Sequence, residues 1–344
     1  MSKNSFFLTA IAACSLLAGC GPSGSGAAGG TTSGTAGSPG GGGKFSGKVD
    51  IDGSSTVGPI LQAVAEEFGN NNPDVRATVG ISGTGGGFKK FSSGEIDIAD
   101  ASRPIEDKEV EACKAKGIEF IELPVAFDGL SVVVNPQNDF LEDITIAELK
   151  SIWSPDSKVT TWDQVRAGFP KEKIKLYGAG TDSGTFDYFT LAVNGKEKAS
   201  RSDYQASEDD NTLVQGVAGD KYSLGYFGYA YFDQNKDKLK LLKVNGVAPS
   251  PETINDGTYQ PLSRPLFIYV NKKSLEEKPQ VKELVKMLLT SGKELIRTVG
   301  YVPLSDDDYK LVLERMEAGT TGTVFHGAQP GIKIKDVMSG KNGG

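Results

Sequence analysis

The sequence predicts an α/β protein made of two lobes, each with a parallel sheet. Short apolar strands alternate with segments whose apolar residues recur at helical spacing, and this alternation is typical of parallel sheets covered by helices. Two similar apolar strands, 129–135 and 265–271, each end in Asn and predict two crossovers between the lobes. Two unrelated strands of one sheet would give the same pattern. Three glycine-rich Ser/Thr loops follow predicted strands, at the edge where parallel sheets bind ligands.

In the first predicted lobe, each strand leads into a loop and then into a helix. The stretch 49–51 is a short strand, and apolar residues between Val57 and Phe68 recur at helical spacing, with Pro59 in the first turn, where proline is tolerated. The other predicted strands are 75–81 and 96–99, and the other predicted helices begin at Phe88 or span 281–289 and 309–316.

The second predicted lobe has the same strand, loop and helix order. Residues 173–177 form a strand before a glycine-rich loop, and Phe186, Phe189 and Val193 then line one face of a helix. This helix would begin at the carboxyl edge of its sheet. Two further helical segments precede this unit, at 146–153 and 162–165.

The three loops share one chemical pattern at 53–59, 82–88 and 180–186. Glycine lets the backbone approach a ligand closely, hydroxyls donate hydrogen bonds, and a helix N-terminus presents free N–H groups with partial positive charge. Each loop taken alone is also explained by an ordinary helix cap. Three loops that converge would form a cage of uncharged donors around a small oxyanion.

Composition excludes several classes of function. The chain has 344 residues, which favours about two domains, and its formal net charge of −7 makes nucleic acid an unsuitable partner. The single histidine, His326, lies in a Gly-rich tail, which removes His-based Ser or Cys triads and most metal sites. We therefore expect a binding protein without cofactor or metal, and not an enzyme.

The N-terminus has the pattern of an export signal. Lys3 is followed by an apolar stretch at 6–17, which is too short to span a bilayer as a mature helix. The sequence Leu-Ala-Gly before Cys20 resembles the lipobox of bacterial lipoproteins, which implies cleavage before Cys20 and acylation of its thiol. A simple signal peptide with a chance cysteine is the alternative. The Gly/Ser-rich stretch 21–43 would then be a tether, and Cys113 would remain as an unpaired thiol.

Together, these segments resemble the phosphate-binding lipoproteins of bacterial phosphate ABC transporters, the PstS family, from about residue 48 to 315. The resemblance implies a type II periplasmic-binding-protein fold with two crossover strands. It also implies a receptor, anchored outside the cytoplasm by lipid, that delivers phosphate to permease subunits. The shared motifs are Gly-Ser-Ser-Thr-Val at 53–57, Gly-Thr-Gly-Gly-Gly-Phe-Lys at 83–89, Ile-Asp-Ile-Ala-Asp-Ala-Ser-Arg-Pro at 96–104, Asp-Gly-Leu-Ser-Val-Val-Val-Asn at 128–135, Asp-Ser-Gly-Thr-Phe at 182–186 and Gly-Tyr-Phe-Gly-Tyr-Ala-Tyr at 225–231.

The resemblance also implies a set of anion-binding residues. Ser55 would donate its hydroxyl, Thr56 its backbone N–H, and Thr84 would stand where the family places a serine hydroxyl. These three residues lie in the first lobe. The second lobe would contribute the Ser-Gly-Thr motif, here Ser183, Gly184 and Thr185.

Two positions depart from the family pattern. Arg103 stands where well-known members carry an aspartate, and no arginine occurs near Ala179, where those members have one. We infer that Arg103 makes the bidentate, charge-assisted contact to the anion, although an arginine before Pro104 also suits a salt bridge. Asp182 and Asp100 are the candidates for the acceptor carboxylate that would select a protonated phosphate over sulfate; Asp182 equally suits a helix cap.

The predicted function is therefore high-affinity capture of phosphate for an ABC importer. Sulfate or molybdate is an alternative ligand, and a signalling or adhesive lipoprotein with a vestigial cleft is another alternative. A serine-dependent phosphatase or esterase is the enzymatic alternative, because Asp182-Ser183-Gly184 resembles a nucleophile turn. The predicted organisation is signal peptide 1–19, lipidated Cys and linker 20–47, lobe 1 at 48–127 and 264–318, lobe 2 at 128–263, and flexible tail 319–344.

Overall fold

The structure is a computed structural model that describes residues 44–181, 183–207, 209–325 and 333–340. The predicted signal peptide, Cys20, Asp182 and most of the linker lie outside these residues. Within the described ranges, no helix combines the length and the apolar character that crossing a membrane requires.

Twelve strands form the sheets of the described chain. Ten of them join one long sheet, whose path runs β2-β1-β3-β11-β4-β8-β6-β7 with β9 and β12 attached to β4, and the other two form a small separate sheet. The strands are β1 Gly47–Gly53, β2 Val75–Ile81, β3 Ile98–Ala101, β4 Phe120–Val134, β5 Asp143–Ile144, β6 Lys175–Ala179, β7 Gln205–Ser207, β8 Ser223–Gly228, β9 Lys240–Leu241, β10 Lys243–Val244, β11 Ser263–Asn271 and β12 Val302–Pro303.

Helices surround the sheet in the order that the sequence predicts. Their apolar faces are buried against the strands, and apolar residues from both ends of the chain share this core. The helices are α1 Gly58–Asn71, α2 Thr84–Ser92, α3 Asp107–Ala115, α4 Ile146–Trp153, α5 Gly184–Asn194, α6 Asp210–Ala218, α7 Tyr229–Gln234, α8 Pro251–Asn255, α9 Lys272–Glu277, α10 Pro279–Ser291, α11 Lys293–Thr298, α12 Asp306–Glu317 and α13 Ile334–Met338, with a 3-10 turn at Trp162–Gln164.

The long sheet is mixed: its two end groups of strands are parallel, as predicted for the two lobes, and the strands that join these groups are antiparallel. Strands β2, β1 and β3 are parallel at one end, and β8, β6 and β7 are parallel at the other. The central strands are antiparallel, because β11 pairs with β3 and β4, and β4 pairs with β8. The chain leaves the first group of strands and later returns to it, so its two crossover segments must run in opposite directions.

The central strand β4 connects the two groups of strands and confirms the crossover prediction. All of its 15 residues are buried. Its first part pairs with β11 as far as Gly129, and from Leu130 onward it pairs with β8. A strand covered on both faces tends to be apolar along its length, and the apolar segment 129–135 predicted the second half of β4; its first half was not predicted. The boundaries predicted for the two lobes remain a prediction.

The C-terminal part differs from the flexible tail predicted from residue 319. Gly322 forms a bridge with Ile121, and Phe325 is buried. In the short helix α13, Ile334 and Val337 are also buried. The glycines of this region suggested a mobile segment, but the apolar residues between them pack on the body.

Candidate anion-binding cleft

One cleft, with a volume of about 560 Å³, contains the predicted site residues of the first lobe, Ser55, Thr56, Thr84 and Arg103. Its walls combine the first two loops, the chain after β3, α5 and the start of β11. Such a volume lies within the range of small-molecule sites. The residues that line it and enter the argument are Ser55, Thr56, Thr84, Ser102, Arg103, Asp187, Tyr188, Leu191, Glu197, Arg264 and Phe325.

The first loop presents its hydroxyls at the carboxyl end of β1. The Oγ of Ser54 accepts hydrogen bonds from the backbone N–H groups of Thr56 at 3.1 Å and Val57 at 3.4 Å. Ser54 therefore stabilises the turn that precedes α1 by accepting these two hydrogen bonds. Ser55 lines the cleft, as expected, and so does Thr56. The Thr56 N–H, which was predicted to bind the anion, donates to Ser54 instead, so the group that Thr56 can offer to a ligand is its hydroxyl.

The second loop places Thr84 beside Ser102. Their hydroxyl oxygens lie 3.3 Å apart, and the Ser102 N–H donates to Thr84 Oγ1 at 3.3 Å. Gly83, which precedes α2, has a φ of 80°, a left-handed conformation that favours glycine. The sequence analysis named Thr84 and missed Ser102, although Ser102 lies in the same Ser-Arg-Pro motif as Arg103.

The third loop meets the first loop instead of lining the cleft. Ser183 caps α5, because its Oγ accepts the Thr185 N–H at 3.2 Å. Gly184 packs so closely on Thr56 that a Cβ at this position would lie 3.1 Å from the Thr56 Cα. None of the three residues of this motif lines the cleft; the contribution of α5 comes one turn later, from Asp187, Tyr188 and Leu191.

Arg103 lines the cleft but is bound to a carboxylate. Its Nη1 donates to Glu109 Oε2 at 2.9 Å, and its Nη2 donates to Glu109 Oε1 at 2.8 Å. Its Nε lies 3.3 Å from Glu106 Oε1, and its guanidinium carbon lies 5.6 Å from the centre of the Phe88 ring. These acidic partners raise the pKa of Arg103, the hydrogen bond to Glu109 being the largest cause. The salt-bridge alternative is therefore realised in the structure, at the wall of the cleft.

Arg264 is a second cation in the cleft, and the sequence analysis missed it. Its Nη2 donates to Thr56 Oγ1 at 3.3 Å and to Asp128 Oδ2 at 3.3 Å. Its guanidinium lies over the Tyr188 ring, 4.1 Å from the centre. Arg264 thus touches the first loop, α5 and β4 together. Its place directly before the predicted crossover 265–271 was the one signal in the sequence.

The counterion of Arg264 is fully buried. The Asp128 side chain is 1% exposed, and burial raises its pKa, an effect that Arg264 partly offsets. A buried carboxylate is costly unless it is paired, so this residue fixes the guanidinium at its position.

The acceptor candidates fall in different places. Asp182 lies outside the described residues, and Asp100 is fully buried and does not line the cleft. Asp187, which the sequence analysis did not name, does line it. Its Oδ1 has no hydrogen-bond partner among the described residues, and the Lys198 ammonium lies 3.9 Å away. The i, i+4 spacing from Ser183 on α5 could have identified this residue.

Asp100 is expected to make stability depend on pH. Neither of its carboxyl oxygens has a hydrogen-bond partner among the described residues, and burial raises its pKa from 3.8 to about 8. Because the folded protein binds this proton more tightly than the unfolded chain, the contribution of Asp100 to stability falls as pH rises from about 4 to about 8. Asp100→Asn removes that loss. The Tm of the variant minus the Tm of the wild type, measured by thermal unfolding, should therefore increase as the pH is raised from about 4 to about 8. A constant difference across this range contradicts the assignment.

Comparison with known proteins identifies the family. Residues 25–291 match the family model described as a PBP superfamily domain. Protein SphX of Synechococcus elongatus is 51% identical over 298 residues, covering 84% of this chain and 88% of that protein. The phosphate-binding protein PstS of Staphylococcus saprophyticus is 40% identical over 311 residues, covering 88% and 91%.

A solved structure agrees with these relatives. The crystal structure of a possible phosphate binding protein from Planctomyces limnophilus shares 53% identity and a TM-score of 0.75, and the match covers 80% of this chain and all of that one. The chain therefore belongs to the PBP superfamily and, within it, to the family of phosphate-binding proteins that includes PstS.

Proposed function

We propose that this protein binds inorganic phosphate in the cleft and delivers it to the permease of an ABC importer. One observation carries the proposal: hydroxyls from separate loops and an arginine paired with a buried carboxylate meet in one cleft, in a chain that is 40% identical to a phosphate-binding protein. Dehydrating a divalent oxyanion is costly, so its oxygens must find protein donors. The hydroxyls of Ser55, Thr56 and Thr84 supply uncharged donors.

Arg264 supplies the main positive charge. Its Nη1 has no hydrogen-bond partner among the described residues, whereas both terminal nitrogens of Arg103 are held by Glu109. Arg264 therefore replaces the arginine that this chain lacks near Ala179, and Arg103 contributes to the local potential from its own place in the cleft wall. Ser183, Gly184 and Thr185 act from behind the cleft in this proposal, because the close contact of Gly184 with Thr56 holds the first loop against α5.

Titration calorimetry tests this function. Purified protein should bind phosphate with a Kd of about 1 μM or tighter, equivalent to roughly −8 kcal/mol. Sulfate and molybdate, titrated in parallel, should bind at least about a hundredfold more weakly. Tighter binding of another oxyanion would reassign the ligand, and turnover of a phosphate ester that Ser183→Ala abolishes would establish the enzymatic alternative.

Asp187 is the acceptor that this proposal assigns in place of Asp182 and Asp100. A carboxylate can accept a hydrogen bond from the proton of hydrogen phosphate. Sulfate has no proton at neutral pH, so its negatively charged oxygens would face the Asp187 carboxylate without a hydrogen bond between them, which disfavours sulfate. Asp187→Asn is expected to reduce the preference for phosphate over sulfate by about tenfold or more at pH 7. Competition titrations of both proteins measure this preference, and Glu197→Gln, a substitution at another acidic residue of the cleft, is the control. An unchanged preference in Asp187→Asn would exclude this role.

We also propose that the mature protein is anchored outside the cytoplasm through Cys20. The proposal is based on the apolar stretch 6–17, the lipobox-like Leu-Ala-Gly-Cys and the polar stretch 21–43. Labelling of expressing cells with a fatty acid should mark the wild-type protein and not the Cys20→Ser variant. Equal labelling of both would contradict the anchor.

A further inference from the structure

The chain after α12 contributes a side chain to the cleft. Gly322 lies beside β4, where its N–H donates to the Phe120 carbonyl at 2.9 Å. Three residues later, Phe325 is 2% exposed and lines the cleft. The matched family domain ends at residue 291, so this wall residue lies beyond it.

A buried carboxylate fixes this segment. Glu122 is fully buried, and its Oε1 accepts the hydroxyl protons of Thr323 at 2.7 Å and Tyr269 at 2.8 Å. Its Oε2 accepts the backbone N–H groups of Val324 at 2.7 Å and Phe325 at 3.1 Å. Four donors on one carboxylate satisfy its hydrogen-bonding capacity, and charge-assisted hydrogen bonds are stronger than neutral ones. The last of these donors is the backbone of the cleft residue itself.

The same cluster reaches the loop that carries Arg103. The Tyr269 hydroxyl accepts the Ile105 N–H at 2.8 Å, two residues after Arg103. From the other side, Arg315 Nη2 donates to the Gly322 carbonyl at 2.6 Å. One buried cluster therefore positions two parts of the cleft wall, the Arg103 loop and the C-terminal segment.

We propose that Phe325, held in place by Glu122, is a specificity-determining wall of the cleft, which excludes water and organic substituents from the space beside the bound phosphate. The inference rests on the proposed function and adds a determinant of ligand size. The Phe325 ring packs edge-on against Phe267, with 5.1 Å between the ring centres, so it has a fixed orientation. An apolar wall lowers the local dielectric constant and strengthens the hydrogen bonds of an enclosed anion.

Calorimetric titration with inorganic phosphate and with phenyl phosphate tests this role. Phe325→Ala should bind phosphate at least tenfold more weakly than the wild type and should gain measurable binding of phenyl phosphate. Phe325→Leu, which keeps an apolar wall, should stay within about threefold of the wild type for phosphate. Phe68→Ala is the matched control, because this buried ring of α1 packs against Phe45 and does not line the cleft. It should lower Tm and leave both affinities unchanged.

A second variant separates this role from simple loss of packing. Glu122→Gln weakens the two backbone hydrogen bonds that hold the segment, so it should increase proteolytic cleavage between 318 and 325 and shift both affinities in the same direction as Phe325→Ala. The role of Phe325 would be overturned if Phe325→Ala bound both ligands with wild-type affinity. It would also be overturned if Glu122→Gln became more sensitive to proteolysis between 318 and 325 and the intact variant still bound both ligands with wild-type affinity. A wild type that fails to bind phosphate overturns the proposed function instead.

Discussion

Replacing Arg264 with methionine is expected to weaken phosphate binding by more than about a hundredfold, the largest loss of any single substitution in the cleft. A hydrogen bond to a charged group contributes about 1.5–3 kcal/mol, and truncating one member of a buried charge pair costs about 2–5 kcal/mol. Arg264 combines both roles, because it faces the cleft and pairs with the buried Asp128. Titration calorimetry of the two proteins at equal ionic strength measures the loss.

Stability must be separated from binding in this experiment. Arg264→Met leaves Asp128 buried and uncompensated, which costs about 3–5 kcal/mol of unfolding free energy. The double variant Arg264→Met/Asp128→Asn removes that charge, so Tm should recover while phosphate affinity stays low. Arg103→Met tests the sequence-based assignment: we expect a loss of about tenfold, since its terminal nitrogens already bind Glu109. A larger loss in Arg103→Met than in Arg264→Met would reverse the assignment.

Replacing Gly184 with alanine is expected to weaken phosphate binding by about tenfold to a hundredfold. The added methyl group would overlap the Thr56 hydroxyl and lie 3.1 Å from the Thr56 Cα, which is backbone and cannot rotate away. Overpacking of this kind costs roughly 1–3 kcal/mol. The cost falls on the contact between the first loop and α5, so the hydroxyls of the first loop and the Asp187 carboxylate of α5 move apart. Calorimetric titration of phosphate against both proteins measures the loss.

Gly69→Ala is the control for this substitution. Gly69 lies within α1, and a methyl group there meets no atom within 4 Å. Alanine is the better helix former by about 1 kcal/mol, so the control should be at least as stable as the wild type and should bind phosphate equally well. If Gly184→Ala bound phosphate as tightly as Gly69→Ala does, the close approach of Gly184 to Thr56 would have no role in binding.

Much of the fold was determined by local sequence patterns. The apolar spacing of α1 and α10 and the apolar segment 129–135 are encoded within short stretches of chain, and they predicted these two helices and the second half of β4. The Ser/Thr loops were equally local, because a helix cap and a glycine turn depend on a few neighbouring residues. These patterns identified the loops, and the family resemblance named Ser55, Thr56 and Thr84 within them; the structure brings all three to one cleft.

The charges of the site were decided only by tertiary structure. Arg264 and Thr56 are 208 positions apart in the sequence, and Phe325 and Glu122 are 203 positions apart, so no local pattern links them. The sequence shows that Arg103 follows the β3 motif, but not that Glu109 occupies its terminal nitrogens. Periodicity reports which face of an element is apolar, whereas the hydrogen-bond partner of a charged side chain depends on which distant segments the sheet places beside it.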